Sequence, residues 1–193
     1  MGWDIYATPS RSKNSAPGGA ELTNGAPRSS EEVVAALGLR PHQEGGYFRE
    51  TYRSPVLVPT PVGPRSLVTS ILYLLTSESP SRFHRLRFDE VWFYHAGLPT
   101  ELFLLAPEQM PPEVGRGSYE RLRLGPGSPQ ALVPGGRWVA ARVAPAESGA
   151  VNGWSLVGCV VSPGFEYEDF ELGVREKLES LFPAAAELIA VLT

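Results

Sequence analysis

In the stretch FHRLRFDEVWFYHAG (83–97), His84 and Glu90 stand six positions apart within an otherwise apolar and aromatic run. The chain has only three histidines, so one placed here, with an acid across a tight turn, invites a chemical reading. An imidazole beside a carboxylate can move a proton near neutral pH, because the carboxylate fixes the tautomer and stabilises the cation. The same two side chains are also metal ligands. A third reading gives them no reaction, only hydrogen bonds to a bound molecule or to each other.

A second polar concentration is HQEGGYFRETYR (42–53). Gly45-Gly46 permits a close backbone approach just before a strand. By alternation, Glu44, Tyr47, Arg49, Thr51 and Arg53 share one parity, and His42, Phe48, Glu50 and Tyr52 the other. Either set carries charge, and charge turned inward implies a polar pocket. Thr69, Ser70 and Tyr73 offer hydroxyls from the following strand, and Trp92, Tyr94 and Trp138 offer an aromatic wall for a flat or sugar-like ligand. The binding set expected from these residues is His42, Glu44, Glu50, Arg53, Thr69, Tyr73, Trp92, Tyr94, Gln130 and Trp138. His84 is the expected proton-transfer group and Glu90 its orienter.

The elements that must position these groups are mostly strands. YFRETYR, SLVTSILYLL, RFHRLR, EVWFYHA, TELFLLA, YERLRLG, QALVP, RWVAARV and SLVGCVVS are short, β-branched or aromatic, and bounded by Pro, Gly or charged turns. Such spacing predicts a sandwich or closed barrel. A short helix precedes them, with Ser29 or Ser30 as N-cap, Glu31 and Glu32 in its first turn and Gly38 ending it. Residues 168–182 carry a helical apolar pattern, and Pro183 suits the start of a second helix. Residues 1–29 are rich in Ser, Gly, Pro and Asn and predict a flexible leader before a single domain over 30–193. Apolar residues at both parities of 90–96 and of 66–75 predict that both faces of those strands meet protein, most economically in a homodimer.

The totals narrow the function classes. A net charge of −4 lacks the basic footprint that nucleic acids or anionic membranes require. The single cysteine, Cys159, lies in the apolar run LVGCVV and reads as a buried thiol. With no apolar run of transmembrane length, the expected location is the cytosol.

The spacing of His84, Leu86, Glu90 and Gly97 resembles the first cupin motif, with Leu86 where a second histidine stands. Pro134, Gly136 and Val139 resemble the second motif, with Val139 in place of its histidine. PHQEGGYFRETYRS (41–54), TSILYLL (69–75) and SPGFEYEDFE (162–171) are similar to the Cupin_5 family in particular. The resemblance implies an all-β double-stranded β-helix, or jelly roll, with short terminal helices, usually a homodimer with an interior pocket. It also implies a reduced metal set: only His84 and Glu90 remain, so no cofactor is expected beyond a weakly held divalent metal. Three readings stay open: metal-independent isomerase, epimerase or lyase chemistry, a non-catalytic small-molecule binder, and a metal-dependent oxygenase or isomerase with an incomplete ligand set.

Overall fold

The computed structural model describes residues 29–105, 119–145 and 153–193. The expected leader, apart from Ser29, lies outside the described residues, as do most of the Pro- and Gly-rich loops near 107–118 and 144–153. The first helix, α1 (Ser30–Leu37), forms as its caps dictate. Ser29 and Glu32 close a capping box, and Gly38 ends the helix in the left-handed region at φ 61°.

All the expected strands are present, most of them with ends shifted by one to three residues. In chain order they are β1 (Arg40–Pro41), β2 (Tyr47–Arg53), β3 (Leu57–Val58), β4 (Arg65–Ser66), β5 (Thr69–Thr76), β6 (Ser81–Leu86) and β7 (Asp89–Gly97). There follow β8 (Thr100–Leu105), β9 (Tyr119–Leu124), β10 (Gln130–Val133), β11 (Val139–Val143), β12 (Trp154–Ser162) and β13 (Phe170–Leu172). Eleven of them build an antiparallel six-stranded sheet, β1-β2-β5-β12-β7-β10, facing a five-stranded one, β13-β6-β11-β8-β9, while β3 and β4 pair as a separate ribbon. This is a jelly roll. Leu75, Trp92, Leu102, Leu104, Val139 and Val157 fill the space between the sheets.

Parts of both outer faces are covered from within the chain. α1 and Leu39 close over Leu74 and Leu156 on the six-stranded sheet. Two C-terminal helices, α2 (Arg175–Leu181) and α3 (Ala186–Val191), cover Phe83, Phe103 and Trp138 on the other. The helix expected from residue 168 begins only at Arg175. Residues 170–172 instead pair with Leu86–His84 as β13, and at Gly173 any Cβ would stand 2.7 Å from the Phe83 carbonyl. Tertiary pairing overrides the helical period there. No helix among the described residues is long and apolar enough to cross a membrane.

Candidate active site

The turn between β1 and β2 carries the first acidic group inward. Gly45 and Gly46 take φ 111° and 64°, and a Cβ on Gly45 would meet the Pro80 carbonyl oxygen at 2.0 Å. Only glycine lets this turn press against the start of β6, and the result is a Glu44 side chain buried inside the barrel. Gly45→Ala is therefore expected to cost about 1–3 kcal/mol of strain. Gly127→Ala, at an open site without positive φ, is the neutral control. Equal denaturant midpoints for the two variants would contradict this account of the turn.

Two bulges aim the remaining groups. β2 and β5 pair Glu50 with Ile71 but Tyr52 with Ser70, so Thr51 is an extra residue. The insertion resets the alternation, and Phe48, Glu50 and Arg53 all face the interior despite their opposite parities. On β6 the register shifts between the partners of Val139 and Ala141. Ser81 and His84 are thereby both buried, and the Ser81 hydroxyl donates to Glu44 Oε1 at 3.0 Å.

A cavity of about 230 Å³ results, lined by His42, Glu44, Glu50, Arg53, Thr69, Tyr73, His84 and Glu90 among the expected residues. Four expected residues lie elsewhere. Trp92 sits behind the wall and donates its indole N–H to Glu90 Oε2 at 2.7 Å. The Tyr94 hydroxyl donates to the Gly97 carbonyl. Gln130 is exposed on β10, and Trp138 belongs to the core beneath the C-terminal helices. Sequence reasoning missed Arg40, Ser81 and Glu166. Arg40 adjoins the HQEGG turn and could have been suspected from that alone, whereas Ser81 depends on a bulge. Cys159, read as a buried thiol, is buried and also lines the cavity.

The protonation pattern follows from hydrogen bonds. His84 Nδ1 lies 2.8 Å from the Arg82 carbonyl, which can only accept, so this nitrogen carries the proton and Nε2 presents a lone pair. His42 Nδ1 accepts the Glu44 backbone N–H at 3.3 Å. Glu44 Oε2 thus faces the lone pair of His84 Nε2 at 3.4 Å and lies 3.5 Å from His42 Nδ1, whose own lone pair is taken by the Glu44 N–H. Two acceptors this close favour a proton between them. Burial pushes the Glu44 carboxyl above its ordinary range and both imidazoles below theirs. Burial likewise raises Glu90 to about 7. The contact partner of His84 is therefore Glu44. Glu90, expected as the orienter, is bonded to Trp92 and acts on His84 through its charge, favouring the imidazolium against the larger effect of burial.

The mouth is built by the segment after β12. Arg53 binds Glu50 through both Nε and an Nη, reaches Glu166 at 2.6 Å and also bonds the Phe165 carbonyl. Asp169, buried between Arg65 and Arg87, clamps the same segment to the barrel. Phe165 and Tyr167 complete the rim.

The residues present do not fit a cupin metal centre. Leu86 lines the cavity and Val139 is buried beside His84, at the positions where two imidazoles would stand, and neither offers a lone pair. Among the described residues no group of three or more His, Cys, Asp or Glu side chains could hold a metal ion.

The family model Cupin_5, described as cupin superfamily (DUF985), matches residues 31–173. The uncharacterised protein YML079W of Saccharomyces cerevisiae is 31% identical over 180 residues, covering 86% of this chain and 87% of the yeast protein. A solved structure of a hypothetical protein from Leishmania major shares 37% identity with a TM-score of 0.75, covering 86% of this chain and 99% of that one. A crystal structure from Shewanella oneidensis shares 34% identity with a TM-score of 0.72, over 86% of this chain and 98% of that one.

Proposed function

The chain belongs to the Cupin_5 family of the cupin superfamily, and from that premise we propose that its barrel is a metal-independent acid–base site for a small polar molecule. The reaction class is proton transfer at carbon, as in isomerases, epimerases and lyases, with His84 as the transferring group. The observation that carries the reading is the Glu44 carboxyl set within 3.5 Å of two imidazole nitrogens inside a cavity. A proton held among such groups is ready to be delivered or taken up. Glu90, with a pKa of about 7, is poised to exchange a proton at the pH of the cell.

In this site the Arg82 carbonyl fixes the His84 tautomer, leaving Nε2 as the base. Glu44 receives or returns the proton, held in place by the Ser81 hydroxyl. Trp92 orients Glu90 through its indole N–H. Phe48, Ile71, Leu86 and Val161 make the side walls apolar. The test is incorporation of solvent deuterium into carbon-bound positions of small hydroxy acids and sugars bound by the protein. Binding without exchange for every bound compound rejects the proton-transfer reading.

A second reading, a non-catalytic binding cupin, has one observation in its favour. Among the described residues no buried side-chain nitrogen or oxygen lacks a hydrogen-bond partner, so the polar lining is also satisfied as a static structure.

The assembly proposed for this function is a homodimer in the cytosol, where a single free thiol is at home. α1 covers only part of the six-stranded sheet. Val91, Phe93 and Val160 remain partly exposed on its outer side, and Leu132 is 52% exposed at its edge. Sedimentation is expected to give about twice the 20.9 kDa chain mass, and Phe93→Asp to give the monomer. A wild-type monomer at micromolar concentration overturns the dimer.

A further inference from the structure

We infer that the ligand of this site is an oxyanion-bearing polyhydroxy compound, a sugar acid or sugar phosphate, whose charged end rests on Arg40 and whose hydroxyls enter the barrel. The inference rests on the acid–base reading of the cavity and adds the chemical class of the molecule that enters it.

Two ends of the cavity differ in chemistry. Its floor is rich in acceptors. His84 Nε2 presents a lone pair because Nδ1 is bonded to a carbonyl. Glu90 accepts the Trp92 N–H at Oε2 and also interacts with the Cys159 thiol. The Tyr73 hydroxyl is already donated to the Gly45 carbonyl. Such a floor calls for hydrogen-bond donors on the ligand, and hydroxyl groups supply them.

The mouth holds two guanidinium groups of unequal availability. Arg53 is shared between Glu50 and Glu166, so its charge is already matched. Arg40 has no carboxylate partner among the described residues. Its guanidinium lies 4.8 Å from the centre of the Phe48 ring, which holds it over the cavity wall. Summed over Arg40, Arg53, Glu50 and Glu166 the mouth is neutral, with its positive end at Arg40. An unmatched guanidinium at the rim of a pocket is suited to a carboxylate or phosphate, which it can bind through two parallel N–H donors. The volume of about 230 Å³ lies below the roughly 300–1,000 Å³ of pockets for larger ligands, which suits one six-carbon unit.

The probes are gluconate, glucose 6-phosphate, glucose and glucosamine, titrated by calorimetry at low and high salt. Gluconate or glucose 6-phosphate is expected to bind at least about tenfold tighter than the neutral and cationic sugars, with the advantage shrinking as salt screens the charge. Arg40→Ala should abolish the advantage and Arg40→Lys should keep part of it, in proteins whose folding is verified by circular dichroism. Which of the two anions leads separates carboxylate from phosphate. Equal or tighter binding of glucose or glucosamine overturns the inference, as does an anion preference that survives Arg40→Ala, or no binding of any of the four. Anion-selective binding without deuterium exchange fails the acid–base reading alone. Exchange on a neutral sugar without anion preference fails this inference alone.

Discussion

His84→Asn is expected to lower deuterium exchange into bound ligand by ~10²–10⁴-fold, the usual contribution of a general acid or base. The asparagine amide can still donate to the Arg82 carbonyl that now holds Nδ1, so the side chain keeps its anchor while losing its titratable nitrogen. Ligand affinity should fall by no more than about 1–3 kcal/mol, the range for one hydrogen bond involving a charged group. Glu44→Gln tests the partner assignment. It keeps an oxygen for the Ser81 hydroxyl and removes the carboxyl that faces His84 Nε2 at 3.4 Å, so it too should lose exchange. If His84 and Glu44 act as one unit, the double variant should be little slower than either single one. Full exchange in a folded His84→Asn protein refutes the catalytic role and leaves the histidine as part of the polar lining.

Glu90→Gln is expected to make the protein more stable above neutral pH. Burial raises the Glu90 carboxyl from 4.5 to about 7, so the folded state holds this proton more tightly than the unfolded chain does. The resulting stability is fully present below about pH 4.5 and is lost as pH rises through 7. The difference corresponds to about 3 kcal/mol at 1.36 kcal/mol per unit. Glutamine stays neutral and can still accept the Trp92 N–H through its carbonyl oxygen. Urea midpoints of wild type and variant should converge near pH 4.5 and separate progressively up to pH 8, with the variant higher. Parallel pH profiles for the two proteins would show that Glu90 does not titrate as this environment requires. Exchange should fall in the same variant, because the charge that favours the His84 imidazolium is gone. Gain of stability with loss of turnover is the mark of a group kept for function rather than for folding.

Much of the scaffold is decided by short-range physics and is therefore legible in the sequence. Ser29, Glu32 and Gly38 delimit α1 because capping is a matter of neighbouring hydrogen bonds and one left-handed residue. YFRETYR becomes β2 with no change of bounds, since apolar, β-branched and turn residues act within a few positions of themselves. His84 and Glu90 also stand out in sequence, being polar groups in an apolar run, and both are buried in the barrel. Gly45-Gly46 announces a close backbone approach, and the Pro80 carbonyl is what it approaches.

The composition of the site was decided only in three dimensions. Alternation assigns Glu50 and Arg53 to opposite faces, yet the extra residue Thr51 turns both into one cavity. A bulge forms where the ladder to a distant strand demands it, and nothing local announces where the count resets. Ser81 joins the site for the same reason. Residues 170–172 have a helical pattern but become β13, because β6 offered an unpaired edge and backbone groups at a sheet edge must find partners. The partner of His84 is Glu44, forty positions away in sequence, rather than the neighbouring Glu90. A turn's reach into a barrel depends on what it packs against, and that contact has no period along the chain from which it could be read.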